Sequence, residues 1–311
     1  NEIGGVIMGS LQTAKKGDCL SLQEYQREIR SNVPNHTMEG KRLREEVYNE
    51  FRRYQDWKAD LRQYDISDLI LELIRKRRNI TQTGQDLFQS VYLDECQDFS
   101  YAAIYLICSL AGKTNMQWVA AGDTAQMITP GCSFKFDGLK QTLLAIRPDV
   151  KLRKVEQLRK NYRMTKGTLQ VGNALIRCLK KYFPHAIEYT KPETAMVDIG
   201  LRAIILDWDM AMKTKAKFGV QQAVIFSSDV DESALFQSIT KWIGDHPFVL
   251  SSLESKGLEF DDVIVAFHVE RKTWDLDARF RDGKTQASLK LLRELYVGCT
   301  RAKRRLVILV K

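Results

Sequence analysis

From Ser90 to the C-terminus, short apolar runs alternate with segments of helical period, and that alternation leaves few folds open. Strands are predicted at Ser90–Leu93, Gln117–Ala121, Val155–Leu158, near Leu201–Leu206 and Ala223–Phe226, and at Phe248–Leu250, Asp262–Phe267 and Leu306–Val310. Helices are predicted over Tyr101–Leu110, Lys166–Tyr182, about Asp231–Trp242 and roughly Ala287–Thr300. A strand that rejoins its sheet through a helix runs parallel to its predecessor, so the pattern predicts an α/β fold with parallel sheets covered on both faces. Ahead of it, Ser21 to about Asn79 reads as highly charged helices. Leu43, Val47, Phe51 and Tyr54 recur at spacings of three and four, which predicts one apolar stripe. Arg75-Lys-Arg-Arg78 closes the next helix, either as a solvated cationic end that the helix dipole favours or as a nucleic-acid patch.

A chain of 311 residues accommodates two domains, and 44% hydrophobic with 28% charged residues is a globular balance. No apolar run approaches the ~20 residues of a membrane span. The apolar stretch Gly5–Met8 is too short for a signal peptide and has no basic leader. Cys19, Cys96, Cys108, Cys132, Cys178 and Cys299 contain no C-x-x-C pair, which argues against a disulfide framework or zinc site and for an intracellular location, nuclear or cytoplasmic. The 48 basic and 39 acidic residues leave a charge of +9, which suits a polyanionic partner and equally a merely soluble basic protein. The chain opens on Asn1 rather than Met and is read as a fragment or a partial gene model.

Five short elements carry the chemistry. Tyr92-Leu-Asp-Glu-Cys-Gln-Asp98 sets carboxylates just past a buried strand, where α/β sheets bind ligands. A nucleoside triphosphate needs one carboxylate for Mg²⁺ and another to orient or deprotonate water; Asp94 suits the first role and Glu95 the second. Gly122-Asp-Thr-Ala-Gln126 also follows a strand, and the Gln126 amide could sense a terminal phosphate. Leu158-Arg-Lys-Asn-Tyr-Arg163 pairs an aromatic with a guanidinium fork. Ser255-Lys-Gly-Leu-Glu-Phe260 precedes a strand, and Leu295-Tyr-Val-Gly-Cys-Thr-Arg-Ala302 ends a helix with Arg301 placed as an arginine finger would be. Alone, the Asp94–Asp98 element is moderately specific, with a plain acidic loop as its alternative, whereas each of the others alone reads first as a turn, a surface charge or a helix end.

In this order and spacing the five together resemble helicase motifs II to VI of the UvrD/Rep family of superfamily 1, from about Tyr64 to the end. Val47–Leu69, Gly122–Gln126 with Phe134–Phe136, Asn161–Phe183 and Phe218–Gln222 are similar, more narrowly, to the UvrD-like helicase module of TPR-and-ankyrin-repeat-containing proteins. The resemblance implies two RecA-like parallel-sheet domains of the P-loop NTPase fold. Residues 1–89 would be a helical accessory segment of the 1B kind, 90–157 the remainder of the first RecA-like domain and 158–311 the second. It implies ATP with Mg²⁺ at a cleft between the domains, Asp94 holding the metal through water, and Glu95 as the catalytic carboxylate. Gln126 would sense the γ-phosphate, Tyr162 stack on adenine and Arg163 meet the γ-phosphate. Glu259, with Gly257 beside it, would lie near the ribose, and Arg301 would be the finger. The function implied is an ATP-dependent helicase or translocase on single-stranded DNA or RNA; the alternative is a non-catalytic helicase-like scaffold.

The pattern breaks in three places. No G-x-x-x-x-G-K-[ST] loop precedes Asp94. Gly112-Lys-Thr114 is a decoy, since Ile107 stands where the first glycine belongs and the tripeptide follows the acidic motif. The loop is therefore expected upstream of Asn1 in a longer parent with further covalently linked domains, and this stretch alone is expected to hydrolyse little ATP. Thr129 and Gly131 occupy places where relatives stack bases; Phe134 and Phe136 are the candidate substitutes, with Ser251 a third nucleic-acid candidate. Leu253 replaces the family's His before K-G-L-E-F. The interval Gly167–Leu250 is too short for the large accessory insertion of UvrD.

Overall fold

Hydroxyl and carboxylate side chains start most of the helices, each taking up a backbone N–H that a first turn leaves without a partner. Ser10 caps α1 (Leu11–Lys16), which ends on Gly17 in a left-handed conformation. Ser21 and Glu24 form a reciprocal capping box on α2 (Leu22–Arg27). Thr37 caps α3 (Met38–Asp60), and α4 spans Ile66–Ile80. Ser100 caps α5 (Tyr101–Ser109), which lies between the parallel strands β1 (Ser90–Leu93) and β2 (Gln117–Ala120); α6 (Phe136–Ile146) follows. The computed structural model describes residues 2–29, 33–80, 88–111, 117–129, 131–188, 191–197, 200–213, 219–227, 232–244, 248–267 and 286–310. The Gly112-Lys-Thr114 decoy and the expected helix start at Asp231 lie outside them.

The chain divides into two compact units, Asn1–Val155 and Glu156–Lys311. In the first, Val91, Leu93, Ile104, Phe134, Leu139 and Leu143 bury one cluster between the sheet, α5 and α6. Ala14 of α1 and Leu71 and Ile74 of α4 pack on Ala102 and Leu106 of α5, so the N-terminal helices and the α/β part share a core.

The second unit contains β3 (Lys160–Thr165), α7 (Lys166–Tyr182), β4 (Thr194–Val197), β5 (Ile204–Asp207), α8 (Trp208–Met212), β6 (Gln222–Phe226), α9 (Glu232–Ile243), β7 (Val249–Ser251), β8 (Phe260–Phe267), α10 (Gln286–Thr300) and β9 (Ala302–Val310). β3 and β4 pair in parallel, and the other five form a parallel sheet in the order β5-β9-β8-β6-β7. β6 and β8 are inner strands, and the consecutive residues Ala223, Val224, Ile225 and Phe226 of β6 are buried without the alternation a half-exposed strand would show. The fold is α/β with parallel pairing among the described strands, in keeping with RecA-like domains. No described helix is long and apolar enough to cross a membrane.

Three local expectations change. Val155–Leu158 is not a strand; pairing begins at Lys160, and Leu158 is 89% exposed. The buried face of α3 is turned from the expected stripe: Leu43 is exposed, whereas Arg44 and Phe51 are buried with Val47 packed beside them. Arg44 belongs inside because its guanidinium donates to three carbonyls ahead of α3, on Tyr25 of α2 and on Glu28 (2.9 Å) and Val33 (3.0 and 2.6 Å) after it. Phe136 opens a helix that periodicity did not yield. Of the basic run at 75–78, Arg75 is bound to its own unit, donating to the Gly17 carbonyl at 2.8 Å and pairing with Asp18 and Glu72.

Candidate active site

β1 and β2 are parallel neighbours, with Leu93 opposite Ala120, so the loops after them leave the same sheet edge. The carboxyl edge of a parallel sheet is where side chains can converge on a ligand without disturbing the ladder. The Ala121 N–H donates to the Leu93 carbonyl at 2.8 Å and the Cys96 N–H to the Ala121 carbonyl at 2.9 Å, which tie the two loops together.

Asp94 is exposed, and one of its carboxylate oxygens accepts the Glu95 N–H at 2.9 Å. Glu95 has φ 49°, a left-handed conformation that costs a non-glycine residue roughly 1 kcal/mol or more and concentrates at functional sites. Its carboxylate accepts from the side-chain amide of Gln97, which is completely buried. The other end of that amide accepts the Asp123 N–H at 2.9 Å. Asp123 in turn accepts from the Gln126 amide at 3.1 Å and from the Ala125 N–H at 2.9 Å. Asp98 accepts the Thr129 hydroxyl at 2.8 Å. Burial pushes the Cys96 thiol up to about 12, so it stays protonated and serves as packing.

Phe134 does not offer a face to a base. It is 2% exposed, its ring lies 6.2 Å from Tyr101 in a stacked arrangement, and Phe136 meets it edge-on at 5.2 Å. The half-buried Phe136 packs on the same core. Both aromatics are claimed by the packing of α5 on α6, which sequence alone could not separate from an exposed aromatic pair.

The second unit gathers the remaining motifs. Arg163 pairs with Glu259 at 2.8 Å and donates to the Thr300 carbonyl at 3.2 Å. Lys303 approaches the other Glu259 oxygen at 3.7 Å. Burial pushes the Glu259 carboxyl up, but the Arg163 hydrogen bond and the charges of Arg163, Lys303 and Arg301 outweigh it and hold the group below its ordinary value. Tyr162, 69% exposed, keeps its ring open to solvent. Gly257 has φ 79°, and its surroundings are open, so backbone conformation rather than space calls for glycine. Arg301, expected as the finger, is 3% exposed and donates to the Val297 and Leu258 carbonyls at 3.2 and 3.3 Å. Ser251 is engaged locally, its hydroxyl and N–H both donating to Glu254 at 2.8 Å.

The sequence reading left out Gln97, Asp123, Thr300 and Lys303. Gln97 and Asp123 stand inside the motifs themselves, but only coordinates reveal that the two loops meet through them. Among the described residues no three His, Cys, Asp or Glu side chains converge as a complete metal site.

Acids and an amide lie at the end of a parallel sheet in one unit, and a guanidinium–carboxylate cluster lies in the other. Residues 9–130 match the model of the UvrD/REP helicase N-terminal domain. More particularly, the chain is 25% identical over 284 residues to TPR and ankyrin repeat-containing protein 1 of Homo sapiens, covering 85% of this chain and 9% of that protein. It is 26% identical over 289 residues to a probable DNA helicase of Mycoplasma pneumoniae, covering 86% of this chain and 52% of the relative. The chain thus spans about half or less of the length of either relative. Among solved structures, the PRRSV helicase aligns over 70% of this chain and 34% of its own, at 13% identity and a TM-score of 0.37.

Proposed function

We propose that this chain is part of the motor of an ATP-dependent nucleic-acid helicase or translocase, with ATP as substrate, Mg²⁺ as cofactor and a single strand of DNA or RNA as partner. The observation that carries the reading is the convergence of Asp94, Glu95 and Gln126 on loops leaving one parallel-sheet edge, with Glu95 held in a strained backbone conformation.

The donor set fits the chemistry. Asp94 is an exposed hard oxygen ligand suited to Mg²⁺, directly or through water. Bound there with a nucleotide, the ion would neutralise phosphate charge. Glu95 would orient and deprotonate the attacking water, and Gln126 would donate to the terminal phosphate. In the second unit Tyr162 would stack on the base. Arg163 and Arg301 would give positive charge by exchanging Glu259 and backbone carbonyls for phosphate oxygens. No G-x-x-x-x-G-K-[ST] loop occurs in the 311 residues, so the hydrolytic activity is proposed for a full-length product that carries such a loop.

The test is the nucleic-acid-stimulated ATPase of that full-length product with and without Glu95→Gln. A loss of about 10²-fold or more in kcat is expected, in the range general-base removal gives. An unchanged rate would sink the catalytic assignment.

A further inference from the structure

Gln97 stands two residues past the proposed catalytic carboxylate, completely buried, with both ends of its amide occupied. Its Nε2 donates to Glu95 and its Oε1 accepts from the Asp123 N–H. The partners fix which end is which: a carboxylate accepts only, and a backbone N–H donates only, so the reversed amide would face like against like at both ends. Asp123 then accepts from Gln126. The Gln126 amide is thus bonded to the Asp123 carboxylate, and the Asp123 backbone N–H is bonded through Gln97 to the Glu95 carboxylate, so that residue Asp123 joins two sets of hydrogen bonds within the first unit.

The packing enforces this linkage. A Cβ on Gly122 would lie 2.6 Å from the Gln97 Oε1 and 2.7 Å from the Cys96 Sγ, so the second loop passes against the amide with no space for a larger residue. A buried amide with either end unmatched would cost about 1–3 kcal/mol, which favours the arrangement in which both loops are docked together.

We propose that Gln97 is a positioning residue that sets the Glu95 carboxylate and couples it to Gln126, so that contact of Gln126 with a terminal phosphate and orientation of the attacking water are one event. This inference rests on the catalytic role proposed for Glu95. It assigns Gln97 no contact with substrate.

The experiment is a double-mutant cycle in the full-length protein, read as single-turnover ATP hydrolysis with single-stranded nucleic acid present. Gln97→Glu keeps an acceptor for the Asp123 N–H and removes the donor to Glu95. It is expected to lower the hydrolysis rate by about tenfold or more with KM for ATP changed less than about twofold. In the Glu95→Gln background the same substitution is expected to change the rate less than about twofold, because Gln97 acts through Glu95. A merely structural role would lower the rate by the same factor in both backgrounds, and that result overturns the proposal. Should Gln97→Glu lack a cooperative thermal transition, Gln97→Met, near in volume and without either hydrogen bond, takes its place in the cycle with the same expectations. A wild-type ATPase that needs Glu95 but ignores Gln97 defeats this inference alone; a wild-type protein without stimulated ATPase defeats it together with the proposed function.

Discussion

Gly122 is the residue on which the two loops of the first unit depend most directly. Its missing side chain lets the backbone pass within reach of Gln97 and Cys96, both of which are buried and cannot retreat into solvent. Gly122→Ala is expected to destabilise the protein by about 1–3 kcal/mol, the usual cost of forcing a methyl group into a closed space. The same substitution should reduce hydrolysis beyond what stability explains, since the displaced atom is the Gln97 oxygen that accepts from Asp123. Thermal unfolding and ATPase measured side by side check this; a variant with unaltered midpoint and rate would mean that the loops do not meet this closely. Gly138 makes the same demand elsewhere, because a Cβ there would fall 2.2 Å from the Tyr101 hydroxyl.

The corner between α3 and α4 shows how an element boundary can be held by charge rather than by apolar packing. Lys58 is buried, pairs with Asp65 at 2.9 Å and with Asp68 at 2.5 Å, and lies 4.6 Å from the Tyr54 ring centroid. Tyr54 also donates to Asp65 at 2.7 Å. Burial lowers the Lys58 ammonium and raises the Asp65 carboxyl, but their hydrogen bonds outweigh it, leaving Lys58 above its ordinary value and Asp65 below its own. A depressed carboxylate stabilises above its ordinary 3.8 and loses that contribution as pH falls through the folded value. A raised ammonium stabilises below its ordinary 10.5 and loses the contribution as pH rises through the folded value. Lys58→Met should therefore cost about 2–3 kcal/mol, less than a fully buried pair because both aspartates remain partly exposed. The gap between wild-type and variant unfolding midpoints should stay flat over roughly pH 5–9 and close below the aspartate range. A gap that persists undiminished in acid would refute the ionic origin.

Element by element, legibility followed burial. β6, β8, β9, α7 and α10 were readable because continuous apolar runs or strong helical period leave no other place for those side chains. β3 was set too early because its sequence, KNYRMT, is polar where a strand usually is not; what makes it a strand is pairing with β4, another short segment without a periodic signal. α6 escaped notice because Gly138 interrupts it and Phe134 and Phe136 resembled an exposed aromatic pair, although Leu139 and Leu143 at i and i+4 mark its buried face. In the candidate site, residue types and spacing single out Asp94, Glu95, Gln126, Arg163 and Glu259 as candidates. The bonds joining them were not legible, because the Gln97–Asp123 and Arg163–Glu259 contacts are made across loops and motifs distant in sequence. The bond from Arg301, the expected finger, to the Leu258 carbonyl was equally hidden, since it joins two motifs distant in sequence.

For the molecule as a whole, the division at Val155 and Glu156 makes a statement about folding. The second unit holds its own apolar interior: Ala223, Ile225, Val263, Val265, Cys299 and Leu306 on one side of the sheet, Trp208, Val224, Phe226, Ile239 and Leu309 on the other. Each strand of its five-stranded sheet finds its partners within residues 204–310. Further links, such as Arg163 with Glu259 and Asp262 with Arg305 through two bonds of 2.8 and 2.6 Å, also close within the unit. A segment of about 150 residues with both faces of a sheet covered is large enough to bury the surface that independent folding requires. Residues 156–311 expressed alone should therefore unfold in one cooperative thermal transition, with near-ultraviolet circular dichroism from Trp208 and Trp242 that disappears at the same midpoint as the far-ultraviolet signal. The pairing of Arg163 with Glu259 should survive in that piece, so that Glu259→Gln lowers its midpoint only slightly, an exposed ion pair being worth roughly 0–1 kcal/mol. A broad, non-cooperative melt of the isolated piece would mean that its core is completed by residues ahead of Glu156, and the boundary would then mark a bend in one folding unit.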